Sequence, residues 1–194
     1  MKILLVILFL FFMGCAHYDT SIPVDRTNVV PGSQVKMKGE TYKLYSVQSP
    51  LKVGDNLVEK AAKAGFELPF NNKVTIINVV PSIDTPVCEA QSHILGESKK
   101  IKKDIDLVSI SRDLPMALNR FKKESKLTNI DYVSDFKKGS FGRGLGLMIQ
   151  DIELLARGVI VLDSKGVIKH MQFIEEVSHL PNMDKAIQVA NSLK

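Results

Sequence analysis

The chain has 194 residues, of which 45% are hydrophobic and 24% are charged. This length and composition are those of a globular protein with one domain and a short appendage. The formal net charge is +5. The lysines, however, are scattered or occur in short runs such as SKKIKKD without interleaved aromatic side chains, so the charge does not indicate a nucleic-acid-binding surface.

The N-terminus has the pattern of an export signal. Lys2 precedes an uninterrupted apolar run from Ile3 to Met13, which is about half as long as a helix that spans a bilayer. The run ends in FFMGC, which resembles the lipobox of bacterial lipoproteins, where cleavage leaves the cysteine as the lipidated first residue. We therefore predict a lipoprotein signal peptide over residues 1–14 and a lipidation site at Cys15. A plain signal peptide cleaved nearby is the alternative.

Residues 15–33 are predicted to be the lipidated cysteine and a flexible tether. The segment is polar, contains prolines and has no helical or strand periodicity. The several acyl chains of a lipoprotein would hold the domain stably at a membrane surface. Ala16 stands where an Asp often signals retention in the inner membrane. We therefore expect an exported protein, lipid-anchored on the periplasmic side of the cell envelope, with the outer membrane favoured in a Gram-negative cell.

From residue 34 to residue 194 the hydrophobic pattern predicts one α/β domain. The first predicted elements in chain order are a β-hairpin over 34–45, a stretch over 57–70 whose front half favours helix and whose second half favours a strand or turn, a buried strand over 73–80 and a helix over 86–102. They are followed by a second buried strand over 105–111, a helix over 115–125, a short strand within 129–136, a loop-rich glycine segment over 137–151, a second hairpin over 156–174 and an amphipathic helix after the N-cap Asn182. This order is compatible with a thioredoxin-like sheet that carries an extra N-terminal hairpin, among other α/β candidates.

The segment NVVPSIDTPVCEAQS places a cysteine just after the first buried strand. Thr85 is a favoured N-cap residue and Pro86 a favoured first helical residue, so Cys88 is predicted to lie in the first turn of a helix. The helix dipole and the free backbone N–H groups there favour a thiolate, which is the nucleophilic form. The Thr85 hydroxyl can donate a hydrogen bond toward the sulfur, and the rigid ring of Pro81 can wall the site. These features alone leave a reactive cysteine and a small buried hydrophobe equally open.

Three segments resemble those of the bacterial thiol peroxidases, the atypical 2-Cys branch of the peroxiredoxins. PSIDTPVC is similar to the peroxidatic signature of that family, with Pro81, Thr85 and Cys88 at its defining positions. SISRDLPMALNRF resembles a second segment of the family, and ARGVIVLDSKGVI resembles the strand whose arginine, here Arg157, faces the peroxidatic sulfur. The similarity covers residues 34–194 and includes the N-terminal hairpin.

The resemblance implies a thioredoxin-like fold and a thiol-dependent peroxidase. Cys88 would attack a peroxide oxygen and become a sulfenic acid. Arg157 would be the cation that stabilises the thiolate and binds the peroxide, assisted by Thr85 and Pro81. The resemblance also implies hydrogen peroxide and alkyl or lipid hydroperoxides as substrates, a homodimer, and no metal, flavin or nucleotide cofactor.

The sequence departs from the family at the resolving cysteine. In most members the R-F of the second segment is followed by a cysteine that forms an intrachain disulfide with the oxidised one. Here that position is Lys122, and the other cysteine of the chain, Cys15, is the predicted lipidation site. We therefore predict a one-cysteine mechanism with an external thiol reductant, either a thioredoxin-like protein or a small thiol. A non-catalytic or peroxide-sensing protein of the same fold is the alternative, and a disulfide oxidoreductase is disfavoured because the sequence has no C-x-x-C.

Overall fold

The computed structural model describes residues 22–193, so the predicted signal peptide and the predicted lipidation site at Cys15 lie outside the described residues. The described part contains the elements β1 (Gln34–Met37), β2 (Glu40–Lys43), α1 (Leu57–Lys63), β3 (Thr75–Val79), α2 (Pro86–Gly96), β4 (Asp106–Ser111), α3 (Pro115–Ser125), β5 (Asp131–Ser134), α4 (Ser140–Leu145), β6 (Gly158–Leu162), β7 (Ile168–Phe173) and α5 (Met183–Ser192). Within these residues no helix has both the length and the apolar character that crossing a bilayer requires.

Five strands form one mixed sheet in the order β5-β4-β3-β6-β7. β3, β4 and β5 are parallel, whereas β6 is antiparallel to β3 and β7 is antiparallel to β6. Side chains on both faces of β3 are buried: Ile77 belongs to a core with α1 and α4, and Ile76 belongs to a core with α2 and α5. Helices on both faces explain the continuous apolar runs of the central strands. This arrangement confirms the predicted thioredoxin-like fold.

The extra N-terminal hairpin is also confirmed. β1 and β2 pair in antiparallel register across Lys38 and Gly39, whose φ angles are 52° and 84°. Two successive positive φ angles are typical of the tight turns whose twist matches that of the flanking strands. Val35 of β1 and Leu44 just after β2 are buried in the core that contains α1 and α4. The hairpin therefore packs on one face of the domain rather than extending the main sheet.

The chain before the hairpin is docked on the domain. Residues 23–29, which we call the N-terminal strap, run along the segment that follows β7, with backbone hydrogen bonds to Leu180 at 2.8 Å and to Phe173 at 2.6 Å. The prediction of a flexible tether over 15–33 is therefore wrong for the strap. Backbone hydrogen bonds do not require side-chain periodicity, so a polar segment that contains prolines can dock without showing a strand pattern.

A short helix, α4, lies within the predicted loop-rich glycine segment. Its glycines permit close packing: a Cβ atom added to Gly144 would lie 2.4 Å from the Cβ of Ala64, next to α1. The Asp135 carboxylate accepts hydrogen bonds from the N–H groups of Phe141 at 3.0 Å and Gly142 at 2.9 Å, which satisfies free donors at the start of the helix. Burial raises the pKa of Asp135, against the opposing effect of those two N–H groups.

α2 ends at Gly96 rather than near residue 102. The side-chain amide of Asn129 donates to the Gly96 carbonyl at 2.8 Å, and so it satisfies a free acceptor at the helix end.

At the other end of the chain, the prediction of Asn182 as N-cap is confirmed, because its side chain accepts from the Lys185 N–H at 3.1 Å.

Candidate active site

Cys88 is the third residue of α2, in the first turn, as the sequence predicts. β3 ends at Val79, and the turn after it leads to Pro86, the first residue of the helix. Thr85 has the extended backbone of an N-cap residue, with φ −131° and ψ 144°. The Cys88 side chain is fully buried, and it lies at the end of the helix where the dipole favours a negative charge.

The Thr85 side chain faces the sulfur instead of capping the helix. Its hydroxyl oxygen lies 2.9 Å from Cys88 Sγ and 3.3 Å from the Ser82 carbonyl, and it makes no capping hydrogen bond to α2. Thr85 is exposed and Cys88 is buried, so Thr85 is the member of this pair that solvent reaches. Its hydroxyl can donate to a thiolate or to an oxygen atom bound beside it. Pro81 is buried in the same turn and has no N–H that competes for that oxygen.

Arg157, which immediately precedes β6, brings a permanent positive charge to the thiol. The residue is 3% exposed. Its guanidinium donates from Nη2 to Cys88 Sγ at 3.2 Å, from Nη1 to Gln91 Oε1 at 2.8 Å and from Nε to the Val177 carbonyl at 2.6 Å. Of these three acceptors only the sulfur can carry a negative charge. A buried cation is costly without a counter-charge, so the sulfur is the place where this cation can stabilise negative charge.

Gln91 orients the arginine and was not assigned a role from the sequence. Its side chain is fully buried, and while Oε1 accepts from Arg157, its Nε2 donates to the Gly158 carbonyl at 3.1 Å. The oxygen and the nitrogen of the side-chain amide therefore bind two successive residues at the start of β6, Arg157 and Gly158. One signal was present in the sequence, because a residue three positions after Cys88 shares its helix face, and a polar side chain there needs a buried partner.

Asp113 fixes the turn that carries the site and was also missed. Its carboxylate accepts from the Ile83 N–H at 2.8 Å, from the Ser82 hydroxyl at 2.7 Å and from the Ser111 hydroxyl at 2.6 Å. Since Ser111 ends β4, the carboxylate ties the turn after β3 to the neighbouring strand. The aspartate of SISRDLP follows a buried strand directly, and that position was the available signal.

The rest of the surroundings of Cys88 are apolar. Val80, Ile83 and Leu118 form a buried cluster with the thiol, against which Phe121 and Tyr132 pack. Burial raises the pKa of Tyr132 to about 12, despite an opposing effect of Ser125, so this phenol is neutral at physiological pH. Water-poor surroundings strengthen the attraction between the Arg157 guanidinium and the sulfur.

Lys122 lies on α3, where its Nζ is 3.8 Å from Asp131 Oδ1 and its side chain is 32% exposed. Cys88 is the only cysteine within residues 22–193, and it is a free thiol. The same residues contain no group of three or more His, Cys, Asp or Glu side chains placed to hold a metal ion.

The fold and the site together define a class of protein. A thioredoxin-like sheet carries a buried thiol in the first turn of the helix after its central strand, and an arginine at the start of the antiparallel neighbouring strand donates to that thiol. This combination is the peroxiredoxin type of site.

Comparisons with known proteins assign the chain within that class. The family model described as Redoxin matches residues 62–187. The chain is 34% identical to a thiol peroxidase of Bacillus subtilis, over 84% of this chain and 95% of that protein, and 33% identical to a thiol peroxidase of Clostridium acetobutylicum, over 83% and 99% respectively. A solved structure of a peroxiredoxin-like protein from Aquifex aeolicus matches with a TM-score of 0.69 and 27% identity, over 83% of this chain and 97% of that one. The chain therefore belongs to the redoxin family and, within it, to the thiol peroxidases.

Proposed function

We propose that this thiol peroxidase reduces hydroperoxides through a sulfenic acid on Cys88, by a one-cysteine mechanism that uses an external thiol. One observation carries the proposal: two donors, the Arg157 guanidinium at 3.2 Å and the Thr85 hydroxyl at 2.9 Å, converge on a buried sulfur in the first turn of a helix. Donors preorganised around a reacting atom stabilise charge as it develops during reaction.

The first half of the cycle oxidises the sulfur. The Cys88 thiolate attacks the terminal oxygen of a hydroperoxide, an S–O bond forms and the O–O bond breaks. The sulfur is oxidised by two electrons to a sulfenic acid, and the leaving alkoxide takes a proton from water to become an alcohol. Hydrogen peroxide releases hydroxide and gives water in the same way. Arg157 and Thr85 are placed to donate to the peroxide oxygens as negative charge passes to the leaving oxygen.

The second half of the cycle needs a thiol from another molecule. One external thiol condenses with the sulfenic acid, releasing water and forming a mixed disulfide, and a second thiol then displaces the Cys88 thiolate. The support for this step is the absence of a second cysteine from residues 22–193, where the resolving position is occupied by Lys122. A thioredoxin-like protein or a small thiol would serve as the reductant.

Mass spectrometry of the reduced protein after one equivalent of hydrogen peroxide tests the one-cysteine mechanism. The expected product carries one added oxygen on Cys88, and it becomes a mixed disulfide when glutathione is present. A Cys15→Ser variant serves as control and should give the same product. An intrachain Cys15–Cys88 disulfide in the wild-type protein would contradict the mechanism.

Apolar hydroperoxides are proposed as substrates in addition to hydrogen peroxide. Leu114 and Met116, at the start of α3, are 40% and 72% exposed, and Phe136, after β5, is 48% exposed. These residues follow β4 and β5 at the same edge of the sheet at which β3 leads to Cys88. Exposed apolar side chains near that edge favour substrates with an alkyl chain.

The peroxiredoxin relationship also supports the homodimer that we propose as the assembled form.

We also propose that the protein is exported and anchored by lipid on Cys15, at the periplasmic side of the cell envelope and preferentially in the outer membrane. The support is the sequence pattern of residues 1–15, and a membrane anchor would place the peroxidase close to lipid hydroperoxides. Growth with radiolabelled palmitate should label the wild-type chain but not a Cys15→Ala variant. The Cys88→Ser variant retains Cys15 and should be labelled as strongly as wild type. A wild-type chain without label would overturn the anchor.

A further inference from the structure

The segment that holds the Arg157 side chain is irregular. After β7 ends, residues 174–180 form turns and isolated bridges rather than a strand. Two of their backbone groups nevertheless fix the arginine: the Ile174 N–H donates to the Arg157 carbonyl at 3.1 Å, and the Val177 carbonyl accepts from Arg157 Nε at 2.6 Å. Since the guanidinium is planar and rigid, the Val177 carbonyl and Gln91 Oε1 together constrain where both Nη atoms lie.

The N-terminal hairpin holds this segment on one side. The Lys36 N–H donates to the Glu175 carbonyl at 2.6 Å, and the Val177 N–H donates to the Lys36 carbonyl at 2.9 Å. The Glu176 carboxylate accepts from the N–H groups at the tip of the hairpin. Burial alone would raise the pKa of Glu176, but hydrogen bonds from Ser178 and from these N–H groups lower it to about 2, so the carboxylate is charged at neutral pH.

The N-terminal strap holds the same segment on the other side through two side chains. Asp25 Oδ2 accepts from the Glu176 N–H at 3.1 Å, and Thr27 Oγ1 accepts from the Glu175 N–H at 2.8 Å. The segment is also bonded to the strap at its end, where Leu180 exchanges backbone hydrogen bonds with it. The two side-chain acceptors are therefore directed at the residues just before Val177.

Gln172 ties the strap to the body of the domain. This side chain is 6% exposed; its Nε2 donates to the carbonyls of Asp25 at 3.0 Å and Thr27 at 2.9 Å, and its Oε1 accepts from the Asn182 N–H at 2.8 Å. Gln172 is buried and binds the backbone carbonyls of Asp25 and Thr27. It therefore fixes the positions from which the side chains of these two residues accept hydrogen bonds from the segment. The strap is thus bound by a β7 side chain that is itself held by the Asn182 N–H just before α5.

We infer that Asp25 and Thr27 of the N-terminal strap are positioning residues for Arg157, acting through the backbone of residues 175–177. The inference rests on the proposed function, because it assigns to the strap the placement of the guanidinium that stabilises the Cys88 thiolate. Loss of the two acceptors leaves the backbone donors of Glu175 and Glu176 without partners at the place where Val177 must present its carbonyl. The guanidinium then moves relative to the sulfur and is less well placed to stabilise negative charge on it.

The rate of Cys88 alkylation by iodoacetamide, followed from pH 5 to pH 9 in the full chain, measures this effect without peroxide turnover. The Asp25→Ala/Thr27→Val double variant should react about threefold to tenfold more slowly than wild type at pH 7, the size of effect expected from the loss of supporting hydrogen bonds. At pH 9 the difference should shrink, because even an ordinary free thiol is largely ionised at that pH. The single Thr27→Val variant gives the same comparison at a smaller cost to the fold, and circular dichroism confirms that each variant is folded.

Three controls separate positioning from general loosening of the structure. Asp25→Asn/Thr27→Ser retains both acceptor oxygens and should restore most of the rate. Val30→Ala, at an exposed position just beyond the strap, should react like wild type. In an Arg157→Ala background the strap substitutions should have no additional effect, because they act through the guanidinium that is now missing.

The outcomes distinguish this inference from the proposed function. Slow alkylation in Arg157→Ala together with a wild-type rate in the folded strap variants would overturn the strap inference and leave the role of Arg157 intact. A wild-type rate in Arg157→Ala would overturn the role of Arg157 and the strap inference with it. An equal additional loss from the strap substitutions in the Arg157→Ala background would also overturn positioning through the arginine.

Discussion

A Cys88→Ser variant is expected to lose thiol-dependent peroxide reduction altogether. The serine hydroxyl fits the same buried space beside Arg157 and Thr85, but it is not ionised at neutral pH and is a poor nucleophile toward a peroxide oxygen. Enzymes that lose their nucleophile commonly lose about three orders of magnitude or more in rate. Because serine keeps the volume of the side chain nearly unchanged, the fold should be retained.

The measurement is peroxide consumption in the presence of a generic dithiol, with cumene hydroperoxide and hydrogen peroxide as alternative substrates. Lys122→Ala is the matched control: the family resemblance predicts the resolving position here, and the side chain pairs with Asp131, so its removal should leave turnover unchanged. Equal consumption by wild type and Cys88→Ser would refute the assignment of Cys88. Absence of consumption by the wild-type chain would favour the non-catalytic or sensing protein.

The parts of the fold that follow local patterns were predictable. The β-branched run of β3 and the proline-led start of α3 carry their own signals, and Lys38 and Gly39 permit a tight turn at the predicted place. The docked N-terminal strap was not predictable, because the segment after β7 binds it through backbone groups that any sequence possesses, and the two strap side chains that accept from them, Asp25 and Thr27, follow no local pattern. α4 was missed because glycines that permit close helix packing read as loop residues.

The site also contains features that local sequence predicts and features that it does not. The location of Cys88 in the first turn of a helix follows from Thr85 and Pro86, which are close in sequence. The pairing of Cys88 with Arg157 joins residues 69 positions apart, and resemblance to a known family rather than any local pattern predicted it. Gln91 shares the helix face of Cys88, but a glutamine is also an ordinary residue for an exposed helix face, so its position alone does not assign a role. Only its burial beside the guanidinium shows what it does.

Replacement of Arg157 is expected to have the second largest effect on catalysis. Arg157→Ala should lower kcat/KM for peroxide about 100-fold, the loss typical of removing one preorganised donor from a developing anion. Arg157→Lys keeps the charge but has one nitrogen instead of three, so it cannot donate to the sulfur, to Gln91 and to Val177 at once. We expect it to recover only part of the loss, about tenfold below wild type.

Comparison of two reactions of the same thiol identifies how Arg157 acts. Alkylation by iodoacetamide depends on the population and reactivity of the thiolate, whereas peroxide reduction also depends on stabilising charge on the peroxide oxygens. If the guanidinium serves both purposes, Arg157→Ala should slow peroxide reduction by a larger factor than alkylation. Equal factors would restrict its role to the thiolate and would leave the Thr85 hydroxyl, 2.9 Å from the sulfur, as the donor to the peroxide.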